Sequence, residues 1–553
     1  MPKQAIEQAL SDALQSVGVV DPRVHLEYPA ELEHGDYASG AAMQYAKQIG
    51  MTPRALAEKL VATMGAIDVV EKTEIAGRGF INFHLAPAAL AQSTEAALQE
   101  PWGRGDLLVG KKVMVDYTQP NPFKPFHIGH LMSNTIGESL SRLVECQGAQ
   151  MIRVNYQGDV GLHIGKAIWG LKDLNVEPTD ADTIGKAYAH GATVYESDPS
   201  AKAEIDAINR AVYEKSDPEI NAVYEKGRAT SLEHFKELYS ILGTKFDDYF
   251  FESQVWESGK KIVEAHIGKV FEKSEGAVVF PGEKYGLNTR VFITSAGLTT
   301  YEGKEMGLTQ LKFDKYEPDT SIVVTAVEQE NFFRVTTKAA ELVDPKLSGR
   351  LVHIPHGMMR LESGKMSSRT GDVITGESLL KDLIVVASER AKESRAEDHA
   401  KLAEQVAVAA IKYQILKQAS GKDIIFDRER ALSLEGDSGP YLQYAHTRTR
   451  ALLEKAREAN VIPKVAAAAT PSVLERHIVR FPYVTSRAAL SFSPHYLVTY
   501  LTELASEFNA WYAREQILDG TAHAAHKLAI AVAVAATLNK GLTLLGIDAL
   551  ERM

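Results

Sequence analysis

Between Lys111 and Gly161 the chain passes from a short apolar run, Val113-Met114-Val115, through Asn121-Pro-Phe-Lys-Pro-Phe-His-Ile-Gly-His130 into a helical pattern. The run reads as a buried strand bounded by the basic pair Lys111 and Lys112, and Ile136, Leu140, Leu143 and Val144 recur at helical spacing. His127 and His130 therefore stand at a helix start. Such a start presents free N–H groups and the positive end of the helix dipole, which together suit phosphate. The histidines add donors, and Gly129 leaves room for a flat ring against the backbone. The segment reads as a nucleotide site. Gly105 to Lys112 imitates a phosphate loop, but Lys112 replaces the Ser or Thr that would hold magnesium. It also precedes the strand, whereas a true phosphate loop follows one.

Composition narrows the class. A chain of 553 residues implies three or four domains, and 45% hydrophobic with 24% charged residues describes an ordinary globular protein. No uninterrupted apolar run reaches membrane-spanning length, and the start Met-Pro-Lys-Gln lacks a signal-peptide core, so no membrane and a cytoplasmic location are expected. Cys146 is the single cysteine, which excludes an internal disulfide and a thiolate zinc cage. It reads as core packing. The formal charge of −11 argues against indiscriminate nucleic-acid binding while allowing a local basic face.

The first hundred residues look like a separate α/β unit. Pro53 to Met64 reads as a helix, and Val69 to Leu85 alternates like strands around Gly77-Arg-Gly79. Leu98 to Leu108 would be a linker. After Asn155-Tyr-Gln-Gly-Asp-Val-Gly161 a charged, mostly helical stretch runs to about Thr244, and strands near Ala277–Phe280, Val291–Thr294 and Ile322–Thr325 resume the α/β pattern. The economical reading is an insertion between two halves of a Rossmann-like sheet. Beyond about Glu377 helical spacing continues through 379–386, 406–416 and 524–545, as in a helix bundle.

Gly364-Lys-Met-Ser-Ser-Arg369 lies far downstream. Together with the H-I-G-H element it resembles the paired signatures of class I aminoacyl-tRNA synthetases, whose second motif is usually K-M-S-K-S. Flanking pieces narrow the resemblance: Glu33-His-Gly-Asp-Tyr-Ala38, Gly77 through Phe83, Asn121 through His130, Asn155 through Gly161 and Thr300-Tyr301. Asp437 through His446, Leu544 through Ile547 and Glu551-Arg-Met553 complete the set. Over nearly its full length the chain resembles the arginyl-tRNA synthetases.

The resemblance implies an α/β and α architecture. An N-terminal added domain (1–100) would touch the tRNA elbow, and a class I Rossmann-like catalytic domain (108–376) would carry a mostly helical insertion at about 165–245. A helical junction (377–435) and a helical anticodon-binding domain (436–553) would follow. It also implies arginine, ATP with Mg2+ and tRNA(Arg) as partners, a monomer, no protein-bound zinc, and arginine activation that needs bound tRNA.

Site residues follow from the same resemblance. His127, Gly129 and His130 would bind ATP, with Lys365, Met366, Ser367 and Ser368 closing over the triphosphate; Arg369 would join Lys365 and the histidines in catalysis. Ser368 stands where most class I enzymes have lysine, and Lys124 matches a lysine that many arginyl enzymes carry as a replacement. Arginine offers a planar guanidinium with five donors and no acceptor, so its pocket needs carboxylates and hydroxyls in a fork. Tyr301 and Glu305, four apart and on one helical face, align with the family's Tyr and Asp, Glu305 departing by one methylene. Glu252 is a second acid, while Gln119, Pro120, Asn121, His130 and Gln329 would surround the rest of the amino acid. Asn82 and Phe83 are candidates for the tRNA elbow, and Tyr444, His446, Arg448 and Arg450 for the anticodon side. Arg448 with Lys455 and Arg450 with Arg457 recur at seven-residue spacing, a basic stripe of the kind that positions phosphates.

Competing readings share pieces of this pattern. A small-molecule nucleotidylyltransferase shares the H-I-G-H element but not the length or the helical C-terminal region. A non-catalytic RNA-binding paralogue would not need His127, His130 and Lys365. A cysteinyl enzyme would need zinc ligands, and a glutamyl or glutaminyl enzyme a cationic pocket where this chain has Tyr301 and Glu305.

Overall fold

The computed structural model describes residues 2–29, 31–361, 375–394 and 396–553. Two compact bodies are built from interleaved segments. The first takes residues 1–103, 448–483 and 503–540, and the second takes 104–447, 484–502 and 541–553.

In the first body, strands Tyr37–Ser39, Phe80–Leu85 and Val70–Ala76 form an antiparallel sheet with Phe80–Leu85 in the middle. Helix Pro53–Met64 has the predicted span. Thr52 caps it, its Oγ1 accepting the Ala55 N–H at 3.3 Å, and Pro53 occupies the first turn where no N–H is required. Ile6, Leu10, Leu56, Leu60, Ile81 and Phe83 form the core. Asp36, from the Glu33–Ala38 motif, is buried. Its carboxylate accepts the Leu85 N–H at 2.8 Å and pairs with Arg476 at 2.7 Å.

The second body is organised by a parallel five-stranded sheet in the order Leu351–His356, Thr320–Ala326, Lys112–Asp116, Gln150–Gln157, Asp248–Phe251. Numbered along the chain these are strands 5-4-1-2-3, so the connection reverses direction at Lys112–Asp116. That strand is buried on both faces, which explains its unbroken apolar run. Met114 packs with Val154, Phe250 and Val255 on one face. Val113 and Val115 pack with Leu140, Val144, Ile322 and Val324 on the other. The helix after it, Ile128–Cys146, is covered almost all round, with Cys146 buried at its end.

Two sequence expectations need correction. Strands Ala277–Phe280 and Arg290–Ile293 do not resume the parallel sheet; with Glu272–Ser274 they form a separate antiparallel sheet over their own core of Phe271, Phe280 and Phe292. Their short length and single buried face suit a small meander. The main sheet resumes instead at Asp248–Phe251, hidden from a pattern reading by its Asp-Tyr start. The inserted segment comprises helices Leu162–Asp173, Ala181–Ser197, Pro199–Glu214 and Pro218–Ile241. Helix Ala524–Leu544 is long and apolar enough to cross a membrane, but most of its apolar stretch is packed inside the protein.

Candidate active site

A cleft of about 500 Å³ opens at the carboxyl ends of the parallel strands, on the line where strand order reverses. Open α/β sheets bind ligands at this position. The first strand brings Asp116, the loop after it Thr118, Gln119 and Asn121, and the next helix His127, Gly129, His130 and Ser133. Opposite stand Glu252, Tyr301, Glu305, Thr325, Gln329 and His356.

The loop after Asp116 is held against its own backbone preference. Thr118, Gln119 and Phe123 adopt φ of 79°, 54° and 66° although none is glycine. Each such residue costs on the order of 1–3 kcal/mol and persists only where its surroundings impose it. Here the Thr118 N–H donates to Ser133 Oγ at 3.0 Å, and Asn134 Nδ2 donates to Thr118 Oγ1 at 2.9 Å. The Gln119 N–H donates to Asn155 Oδ1 at 3.1 Å, and Asn121 Oδ1 accepts the Gly158 N–H at 3.0 Å. The Asn155–Gly161 motif thus fixes the shape of the loop.

His127 is the N-cap of helix Ile128–Cys146 and His130 its third residue, in a reciprocal arrangement. The His127 N–H donates to His130 Nδ1 at 3.2 Å, and the His130 N–H donates to His127 Nδ1 at 3.3 Å. The rings stack with centroids 3.4 Å apart. A Cβ on Gly129 would come within 3.0 Å of His127 Cε1, so the ring that needs the space at Gly129 is that of His127 itself. Removal from water, with Lys124 and His356 adding positive charge, pushes His127 down to about 4. Burial, reinforced by His127 and Lys124, holds His130 well below the ordinary histidine range. Both rings are neutral at pH 7. Since each Nδ1 accepts a backbone N–H, each proton sits on Nε2, giving two imidazole donors.

The acidic groups are unequal. Asp116 pairs with buried Lys312 at 2.5 Å and also accepts from Gln119 Nε2 and the Tyr156 N–H. Glu252 pairs with buried Lys304 at 2.8 Å. Both lysines come from helix Tyr301–Tyr316, which also carries Tyr301 and Glu305. Burial raises Glu305 to about 7; Lys312 lowers it, and Asp116 raises it further. Helix Tyr301–Tyr316 therefore neutralises two carboxylates while presenting a third to the cleft.

Most of the sequence-derived pocket converges. Gln119, Asn121, His127, Gly129, His130, Glu252, Tyr301, Glu305 and Gln329 line one cleft. Pro120 and Lys124 lie outside the lining, the Lys124 ammonium standing 5.5 Å from the centre of the Tyr188 ring. Lys365, Met366, Ser367, Ser368 and Arg369 lie outside the described residues. On the RNA side three candidates are buried. Phe83 is fully buried and Asn82 nearly so, because their strand is the central one of its sheet. His446 is also buried, its Nδ1 bonded to the Leu550 carbonyl at 2.8 Å. Arg448 donates to Asn509 Oδ1 at 2.8 Å and lies 4.6 Å from the centre of the Tyr512 ring. Tyr444 and Arg450 are half-buried on the same helix, Gly439–Glu458. Sequence reading missed Asp116, Lys304, Lys312 and His356. Asp116 had a signal, since it ends the first strand; the lysines had none, because only the fold pairs them with their acids.

A parallel sheet with a paired-histidine helix start at its reversal point is the arrangement expected of a class I synthetase-type catalytic domain. The model for the catalytic domain of class I (R) tRNA synthetases matches residues 98–428. The arginyl-tRNA synthetase N-terminal domain matches 3–85, and the DALR anticodon-binding domain matches 442–553. The arginine–tRNA ligases of Lactococcus lactis and Streptococcus pneumoniae are 31% and 32% identical over 569 and 568 residues, in each case spanning the whole of both chains. Among solved structures, Thermus thermophilus arginyl-tRNA synthetase shares the fold with a TM-score of 0.85 at 23% identity, covering 100% of both chains. The Plasmodium falciparum enzyme gives 0.80 at 20% identity, covering 100% of this chain and 99% of its own. The chain belongs to the arginyl-tRNA synthetase family.

Proposed function

We propose that the protein joins L-arginine to the 3′ end of tRNA(Arg) at the expense of ATP. The observation that carries this reading is the cleft lined by two neutral imidazole donors and by Glu305, which, unlike Glu252 and Asp116, has no lysine partner among the described residues. In the first step an arginine carboxylate oxygen attacks the ATP α-phosphorus and the bond to pyrophosphate breaks. In the second a terminal ribose hydroxyl attacks the activated carbonyl and AMP leaves. No protein nucleophile takes part. Catalysis then rests on positioning and on donors aimed at charge that develops on oxygen. His127 and His130 supply Nε2–H donors to phosphate and carboxylate oxygens, and being neutral they add no charge to the cleft. Glu305 and the Tyr301 hydroxyl take the guanidinium, whose planar fork a lysine ammonium cannot reproduce. ATP enters with Mg2+ as a co-substrate, and the reading assigns the triphosphate to the Lys365–Arg369 motif.

The same reading assigns residues 1–100 to the tRNA elbow and 436–553 to the anticodon side, with Tyr444, Arg448 and Arg450 as candidate contacts. It takes the protein as a cytoplasmic monomer whose arginine activation requires bound tRNA. Pyrophosphate exchange over all twenty amino acids, with and without tRNA, tests it. Exchange is expected with arginine alone and only when tRNA is present. Robust exchange with another amino acid would overturn the assignment, and full exchange without tRNA would remove only the tRNA requirement.

A further inference from the structure

The insertion helix Pro218–Ile241 turns one stripe toward the cleft. Tyr224, Gly227, Arg228, Ser231 and Phe235 follow at helical spacings and share a face. Tyr224 stacks on Phe123 with centroids 6.4 Å apart and 8° between the planes. A Cβ on Gly227 would lie 2.4 Å from Phe123 Cε1, so glycine is what admits that ring. Ser231 Oγ accepts the Phe123 N–H at 3.1 Å, and Phe235 packs on Phe126. These contacts hold the loop that leads to His127.

Arg228 reaches the other wall. Its Nε donates to Asp159 Oδ2 at 3.0 Å, and its guanidinium lies 4.2 Å from the centre of the Phe251 ring. Asp159 is fully buried. Its remaining acceptor positions take the Ser253 N–H at 2.9 Å, the Ser253 hydroxyl at 2.8 Å and the Tyr224 hydroxyl at 3.4 Å. Ser253 is the second residue of helix Glu252–Ala265, so Asp159 satisfies one of the donors that a helix start leaves open. The residue beside it, Glu252, faces the cleft.

We propose that Arg228 is a positioning residue for arginine recognition. By neutralising Asp159 it fixes the first turn of helix Glu252–Ala265 and, through that turn, the Glu252 carboxylate. It touches no substrate. Removing Arg228 would leave a buried carboxylate without its counter-ion, which that turn can relieve only by moving. The inference rests on the arginine site proposed above, in which Glu252, paired with Lys304, lines the cleft together with Tyr301 and Glu305. It makes the insertion part of the amino-acid site.

The test is a double-mutant cycle on the full-length protein, read as kcat/KM for arginine and KM for ATP in the charging reaction with tRNA. Arg228→Met should lower kcat/KM for arginine about tenfold, the weight of one charge-assisted hydrogen bond, and leave KM for ATP within about twofold. Arg228→Lys should recover to within about threefold of wild type, since it restores the charge. In a Glu252→Gln background, adding Arg228→Met should cost less than about twofold more. Equal losses toward arginine and ATP, or a full additional tenfold loss in the Gln background, would overturn the proposal. If Arg228→Met does not fold, Ser253→Ala probes the same carboxylate and must show the same arginine-selective, non-additive loss. A wild-type enzyme that fails to charge arginine would sink the underlying reading; normal charging with an additive cycle would sink the positioning role alone.

Discussion

The cleft and the RNA-contact candidates were both read from short motifs, and the fold treats them differently. In the cleft, polar groups left over after local bonding line a common space: the Nδ1 atoms of His127 and His130 are used by the backbone, while their Nε2 atoms meet no hydrogen-bond partner among the described residues. On the RNA side, Phe83 and His446 are buried, the latter bonded to Leu550, and Arg448 is bonded to Asn509. A polar residue can serve a ligand only with hydrogen-bonding capacity that the fold has not already used. Residue type does not reveal that capacity, because it depends on partners far away in sequence.

Glu305→Gln should produce the largest effect, since it keeps size and removes the carboxylate opposite the guanidinium. Loss of such a buried charge contact costs about 2–5 kcal/mol, so KM for arginine should rise far more than KM for ATP. An unchanged arginine KM would move recognition to Glu252 and erase the contrast between free and lysine-paired acids. Lys124→Ala should follow. Its half-buried ammonium is the cation that acts on both histidines, and its removal should lower the activation rate about 10²-fold if it stabilises the leaving pyrophosphate. A normal rate would mark Lys124 as a loop residue held near Tyr188.

The difference between these regions also sets what the sequence could reveal. The strand at 113–115, the helix start at His127 and the helix Pro53–Met64 were legible because each rests on local pattern and turn chemistry. Strand Asp248–Phe251 was not, since its place in the sheet is set by pairing with Gln150–Gln157 across the whole insertion. The cleft was half legible. Tyr301 and Glu305 share a helical face by spacing alone, whereas the pairing of Lys304 with Glu252 and of Lys312 with Asp116 links distant segments. The fate of His446 turned on the C-terminal residues that fold back over it.

Two smaller effects sharpen the RNA side. His446→Ala leaves the Leu550 carbonyl unpartnered, so urea unfolding should report a loss of about 1–3 kcal/mol while arginine KM stays near wild type. A variant as stable as wild type but weak for tRNA would restore His446 as an RNA contact. Replacing Arg448 and Arg450 together by Ala should flatten the salt dependence of tRNA binding, by roughly 0.7 in the log–log slope for each arginine that meets a phosphate. A change near 1.4 would show that both arginines reach phosphate.

The claim that Glu305 is the carboxylate meeting the guanidinium is tested most directly by proton release on arginine binding. Burial raises this carboxyl to about 7, so it is largely protonated at about pH 6 and largely ionised at about pH 8. Arginine requires the ionised form. Affinity should therefore weaken about tenfold per pH unit below about 7 and level off above it. His127 and His130 are held lower and stay neutral across this range. Calorimetry of arginine binding to the tRNA complex, in two buffers of different ionisation heat, should show close to one proton released at about pH 6. Glu305→Gln should show none. An arginine affinity that is flat from about pH 5.5 to 8, with no proton released by the wild-type protein, would contradict the account.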